Sequence, residues 1–273
     1  VTAEDVMRVA NKYFKPENAR IVVVGKGSEV LENLEKTGIP IKYFDTYANP
    51  VEKPEYSKPI PEGVTAKTVI DSYFKAIGGK DKAMAVKTVH SVANVAIEGV
   101  PISLTADMKQ MSPNKESMEM TAEGMGVLAK QKFNGESGYN EQQGMKKPLT
   151  DVEIADKKSD NSVFPELAID PANVTLESMT SLDGKDVYKL KVMKGDKSSM
   201  RYYDAESGLL VRTETEVEMQ GQKIMNVANY SNYSPVNGLL FPYNMSIKSG
   251  PQVLSFNITN VKLNEGVTDA DFD

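Results

Sequence analysis

The sequence predicts an α+β fold, mainly antiparallel β: a curved half-barrel sheet of about ten or eleven strands covered by helices, preceded by a small α/β fragment. Three observations carry this expectation. From about residue 88 the apolar period changes from 3.6 to 2 and stays there, as in Ile102, Leu104, Ala106 and Met108 against Ser103, Thr105, Asp107 and Lys109. Turn signals punctuate the runs at Asp183-Gly184, Glu206-Ser207-Gly208, Gln220-Gly221 and Asn237-Gly238. Each strand has one apolar and one polar face, so the sheet covers something on one side only, and a long meander of this kind tends to curl.

Taken in order, residues 1–47 read as helix, strand, helix, strand. Thr2 and Asp5 form a helix start, and Val6, Val9, Ala10, Tyr13 and Phe14 recur at helical spacing until Pro16 stops them. Ile21-Val22-Val23-Val24 is a short apolar run ending at Gly25, the pattern of a buried strand. Ser28 is placed to cap a second helix (Val30, Leu31, Leu34) closed by Gly38, and Ile41 to Tyr47 reads as a last strand. Two helices and two short strands cannot bury a sheet alone, so this segment reads as the tail of a larger α/β unit.

Residues 48–63 hold Pro50, Pro54, Pro59 and Pro61 among Glu and Lys, a semi-rigid linker and the expected domain boundary, with residues 64–273 as the β domain. Residues 1–60 hold nine basic and nine acidic residues, so the whole net charge of −6 lies beyond them. Thr65 then caps a helix with the stripe Val69, Ile70, Tyr73, Phe74 and Ile77, ended by Gly78-Gly79, and a short helix is expected around Lys80–Val86. Leu209, Val211, Thr213, Thr215, Val217 and Met219 oppose Leu210, Arg212, Glu214, Glu216 and Glu218, while Leu254, Phe256 and Ile258 alternate with Ser255, Asn257 and Thr259. The capping box Thr150-Asp151-Val152-Glu153 interrupts the strands and opens a short helix toward Asp160.

Composition closes off much chemistry. The chain has 273 residues, no Cys, one His and no Trp. There is no disulfide, thiol nucleophile or cysteine metal site, and a single histidine rules out HExxH and HxxEH zinc signatures. The acidic balance argues against nucleic-acid binding. No apolar run is long enough to span a membrane, and no signal peptide opens the chain. The start at Val1-Thr2-Ala3 reads as mid-protein, so a piece of a longer protein is expected. His90 lacks a neighbouring carboxylate and nucleophile in the sequence and reads as structural. Gly25-Lys26-Gly27 lacks the third glycine of a dinucleotide loop, since position 30 is Val, and reads as a tight turn. Glu214, Glu216 and Glu218 read as a solvated face; Asp269, Asp271 and Asp273 read as a frayed end. Asn-x-Ser/Thr triplets at Asn173, Asn229, Asn232, Asn244 and Asn257 carry no weight in a domain rich in these residues.

Methionine is the oddity: twelve of 14 fall beyond residue 100, including Met108, Met111, Met118, Met120, Met125 and Met145. Thioethers fill irregular core gaps or line adaptable apolar pockets, and both readings stay open here. If a cavity exists, alternation parity names Leu104, Met118, Met120, Leu190, Val211 and Phe256 as its wall, with the reservation that one bulge reverses a strand's faces.

Two stretches resemble known families. Val1-Thr2-Ala3-Glu4-Asp5-Val6, Ala10-Asn11-Lys12-Tyr13-Phe14, Pro16-Glu17-Asn18 and Ile21-Val22-Val23-Val24-Gly25 resemble the C-terminal end of an insulinase/pitrilysin-type zinc peptidase domain. That family's zinc ligands match no position here, so the resemblance implies no catalytic residue and no cofactor in this chain, with zinc expected only in a catalytic domain of the parent. Tyr73-Phe74-Lys75-Ala76-Ile77-Gly78-Gly79, Tyr202-Tyr203-Asp204, Ser207-Gly208-Leu209-Leu210-Val211 and Tyr233-Ser234-Pro235-Val236-Asn237-Gly238-Leu239-Leu240-Phe241-Pro242 resemble the periplasmic lipoprotein carrier and receptor (LolA/LolB-like) half-barrel. This resemblance implies a periplasmic or envelope setting and an apolar cavity for acyl chains. Together they imply a non-catalytic C-terminal portion of a zinc metallopeptidase ending in a half-barrel that binds a lipid, a hydrophobic peptide or a peptidase partner domain or subunit. A lipid or lipoprotein carrier module and a purely structural, subunit-pairing domain are the alternatives.

Overall fold

The computed structural model describes residues 1–13, 19–54, 57–159, 163–219 and 222–273. They form two compact units, Val1–Tyr56 and Ser57–Asp273.

In the first unit, α1 (Ala3–Tyr13) starts at a reciprocal cap: Asp5 N donates to Thr2 Oγ1 at 3.2 Å and Thr2 N donates to Asp5 Oδ2 at 3.2 Å. Its apolar positions Val6, Val9 and Tyr13 are exposed, so α1 buries no residue. The expected stop at Pro16, with Phe14, lies outside the described residues. α2 (Gly27–Glu35) contributes the half-buried Val30 and the buried Leu31, and Gly38 follows it at φ +70°. The side chain of Ser28 lies outside what is described. β1 (Tyr43–Phe44) pairs antiparallel with β2 (Pro50–Val51), shorter than the strand expected over 41–47. Asp45 holds the turn between them, its Oδ1 accepting from Tyr47 N at 2.8 Å and Asn49 N at 2.9 Å. One expectation is corrected here. Ile21–Val24 is neither a strand nor buried; Val22 and Val24 are 81% and 94% exposed. An apolar run becomes a strand only beside another strand, and the described residues of this unit form a single ladder, β1 with β2.

The second unit is one open antiparallel sheet of fourteen strands with helices on its inner side. β3 (Ser57–Lys58) precedes α3 (Ala66–Ala76) and α4 (Lys80–Ala85). The strands β4 (Thr88–Ile97), β5 (Val100–Met111), β6 (Lys115–Ala122), β7 (Gly126–Phe133), β8 (Gly138–Gln142) and β9 (Met145–Pro148) form one meander. After α5 (Asp151–Lys158) and two short 3-10 turns, Pro165–Ala168 and Pro171–Asn173, a second meander follows. It comprises β10 (Val174–Leu182), β11 (Lys185–Lys194), β12 (Lys197–Asp204), β13 (Leu210–Met219), β14 (Gln222–Val236), β15 (Leu239–Ser249) and β16 (Gln252–Leu263). The two meanders join side by side because β16 pairs with β4, giving the order β3-β10-β11-β12-β13-β14-β15-β16-β4-β5-β6-β7-β8-β9. The count exceeds the ten or eleven strands expected, because β3, β8 and β9 have only 2, 5 and 4 residues and little alternation.

Local chemistry explains the element ends. Thr65 caps α3 with Thr68 N donating to its Oγ1 at 3.2 Å, and Thr150 caps α5 with Glu153 N donating at 3.3 Å. Asp183-Gly184 (φ +52°, +82°) and Asn237-Gly238 (φ +50°, +78°) turn in the left-handed region, the two-residue hairpin geometry that matches strand twist. The expected turn at Gln220-Gly221 lies outside the described residues.

α3 lays its stripe, Val69, Tyr73, Phe74 and Ile77, on the inner face against Leu190, Tyr203, Leu210, Leu239 and Leu263. Asn264 stitches the end of β16 to the start of β4: its N donates to Thr88 O at 2.9 Å, and its Oδ1 accepts from Lys87 N at 2.6 Å. The C-terminal residues are anchored, not frayed. Phe272 is 1% exposed, Lys109 Nζ donates to Asp271 Oδ1 at 2.5 Å, and Lys115 pairs with Asp269.

Candidate functional site

The inner face encloses a cavity of about 480 Å³, open to one side and bounded by both meanders, α3 and the insert after α5. That volume falls within the range of about 300–1,000 Å³ typical of small-ligand sites. Strand register explains its lining, since residues paired across an antiparallel ladder share a face. Ser91, Met108, Met118 and Gln131 lie in one row across β4, β5, β6 and β7. Ser199 pairs with Thr215, and Arg201 with Thr213, across β12 and β13. Val261 and Ile258 of β16, Met245 of β15 and Leu240, Phe241 and Pro242 complete an apolar wall. The insert supplies Val163, Phe164 and Pro165, with the Phe164 ring 5.5 Å from that of Phe241.

Part of the lining is a buried polar cluster. Arg201 of β12 pairs with Glu166 of the insert, their side chains 15% and 3% exposed. Burial works against the Arg201 charge, but the Glu166 carboxylate and the Tyr203 hydroxyl beside it hold the guanidinium above its ordinary value. Burial first, then the Glu166 charge, pushes the phenols of Tyr73, Tyr203 and Tyr233 well up, so these rings are neutral hydrogen-bonding groups. The Tyr203 hydroxyl lies next to the guanidinium without a hydrogen bond of normal geometry, and Arg201 Nε is likewise buried and unpartnered. Thr213 Oγ1 and Tyr230 Oη lie 3.3 Å apart.

The structure distributes the six residues named from parity. Met118 lines the cavity. Leu104 and Phe256 are buried in a neighbouring cluster with Ala93, Val95, Ala106 and Ala122, against which Met120 packs. Leu104 and Val95 also border a second recess beside the β4–β5 hairpin. Leu190 is fully buried beneath α3. At Val211 of β13 a bulge sets Leu210 opposite Tyr203 and Arg212 opposite Tyr202, so Val211 has no ladder partner on β12, and Leu210 borders the cavity. Of the other methionines, Met108 and Met245 line the cavity, whereas Met125 and Met145 are exposed near hairpin turns.

The remaining candidates lie elsewhere. His90 Nε2 is 2.8 Å from Asp107 Oδ2, a carboxylate brought by the β4–β5 ladder. Both alternate with the cavity-lining Val89, Ser91 and Met108 and so belong to the outer face. On β13, Glu214 is less solvated than the pattern implies, accepting from the Tyr202 hydroxyl at 2.8 Å and lying near Arg212, whereas Glu216 is exposed as expected, its pair with Lys223 at 2.6 Å lying at the surface. The side chain of Glu218 lies outside what is described. Among the described residues no three His, Asp or Glu side chains are grouped to hold a metal ion, and no helix is long and apolar enough to cross a membrane.

Neither a family model nor a curated protein matches the chain. Solved structures do. A LolA superfamily protein from Nitrosomonas europaea is similar over 77% of this chain and 98% of its own, with 13% identity and a TM-score of 0.52. A DUF1329 family protein from Desulfovibrio piger matches 76% of this chain and 97% of its own at 13% identity and a TM-score of 0.49. At this identity the first likeness establishes the fold: a large, open, LolA-like antiparallel sheet with a few helices.

Proposed function

We propose that the curved-sheet unit is a binding module for a hydrophobic ligand, the acyl chain of a lipid or lipopeptide, held in the inner cavity. The observation that carries this reading is the cavity itself, with three flexible thioethers, Met108, Met118 and Met245, facing it from β5, β6 and β15. Support for a carrier or receptor role in the bacterial envelope comes from the shared LolA-like fold and from the resemblance of residues 73–79, 202–204, 207–211 and 233–242. A place beside a zinc peptidase rests on the resemblance of residues 1–50 alone. The exposed Ile21–Val24 run suits it, because an apolar run of this kind forms a strand only beside a partner strand, which a neighbouring domain would supply.

Native mass spectrometry of the expressed chain is expected to show a bound amphiphile that solvent extraction releases. The neutral fluorophore N-phenylnaphthylamine is expected to bind the extracted protein, and Met108→Trp to weaken it by about tenfold, by filling the cavity. A chain that carries no extractable lipid and binds no fluorophore overturns the reading.

A further inference from the structure

Resting on that reading of the cavity, we propose that the polar end of its ligand is uncharged: an acyl ester or acyl amide, not a free fatty acid or other anion. The cavity is bordered by four charged residues: Glu116, Glu166 and Arg201, and, from the face of β5 that it shares with its ladder partner His90, Lys109. Each already has an opposite charge. Lys109 pairs with Asp271 at 2.5 Å, Glu116 with Lys157, and Glu166 with Arg201. Among the described residues, a carboxylate entering here meets no cation on the lining that lacks an opposite charge. To gain Arg201 it must displace Glu166, which is 3% exposed and would be left as a buried, unpaired charge.

Neutral polar groups are plentiful by contrast. Ser199 and Thr215 face each other across β12 and β13, with Thr213 and the Tyr230 hydroxyl one register step further on. Hydroxyls donate and accept without a net field, which suits a carbonyl or glycerol oxygen. The Met108, Met118 and Met245 wall takes the chain. The cavity is therefore amphipathic but electrically balanced, and that combination selects against ionised heads.

The experiment compares two amphiphiles with the same alkyl chain, so that apolar contributions cancel. Laurate and glycerol monolaurate compete against N-phenylnaphthylamine on the full chain at about pH 8, where the carboxyl is ionised. Monolaurate is expected to displace the probe at a concentration at least about tenfold lower than laurate. Glu166→Gln, which frees the Arg201 charge while keeping the side chain's shape, is expected to shift that ratio toward laurate by about tenfold or more. Equal or tighter displacement by laurate on the unaltered chain overturns the inference and leaves the hydrophobic cavity standing. Failure of both amphiphiles and of the probe overturns the cavity reading and this inference with it.

Discussion

Glu166→Ala is expected to lower unfolding stability by about 3–5 kcal/mol, one of the two largest single-residue effects argued for this protein. The loss comes less from a missing attraction than from what is left behind. Arg201 would remain in a site where its own side chain is 15% exposed, with Nε already unpartnered. Removing the other partner, in Arg201→Met, strands the carboxylate instead and is expected to cost a similar amount. The double change Glu166→Leu with Arg201→Met removes both charges, and such apolar replacements are often neutral or better, so stability should return to within about 1 kcal/mol of the parent. Urea unfolding followed by far-ultraviolet circular dichroism measures all three. A loss below about 1 kcal/mol for Glu166→Ala would show that water reaches the pair in solution.

Gly78→Ala is expected to cost about 3 kcal/mol or more, whereas Gly79→Ala next to it costs about 1–2 kcal/mol. Both glycines have positive φ, +116° and +114°, so backbone strain is common to the two substitutions. They differ in what a methyl group meets. At Gly78 the new Cβ would lie 2.3 Å from Gly238 O; at Gly79 it meets nothing within 4 Å. The close approach exists because Leu240 N donates to Ile77 O at 2.8 Å, tying the end of α3 to the β14–β15 hairpin. A methyl group must break that tie or push α3 off the Leu239 contact. Equal thermal shifts for the two variants would refute the steric account.

The β domain was legible because its signals are local. Alternation in β5 and β16, the Asp183-Gly184 and Asn237-Gly238 turns and the Thr65 and Thr150 caps each act within a few residues, and each recurs in the structure. The wall of the cavity was less legible for a physical reason at Val211. A bulge inserts one residue between Leu210 and Arg212, so Leu210 takes the inward place that strict alternation back from Thr215 and Thr213 gives to Val211. Arg201 and Glu166 had no local signal at all, since 35 positions separate them and neither belongs to a motif. Only the fold brings them together. Three of the five Asn-x-Ser/Thr asparagines, given no weight in the sequence, carry cross-strand chemistry: Asn232 donates to Asn244 at 2.9 Å and Asn244 to Asn257 at 2.6 Å, a run of amides across β14, β15 and β16. At Ile21–Val24 the reading failed in the opposite direction. Hydrophobicity there was local, but the neighbour a strand needs was not.

The pairing of β16 with β4 has a kinetic consequence. Thr88 and Asn264, joined at that seam, are 176 positions apart, whereas every other neighbour in the strand order except β3 with β10 is consecutive in sequence. Two hairpin-built meanders can form early, while the seam closes the longest loop and does so late. The cavity draws its walls from both sides of the seam, so no binding site exists in either half alone. A ligand therefore stabilises only what forms after the rate-limiting step: it should slow unfolding in a stopped-flow chevron while leaving the refolding limb in place. Faster refolding with ligand would mean that the seam is already closed at the transition state.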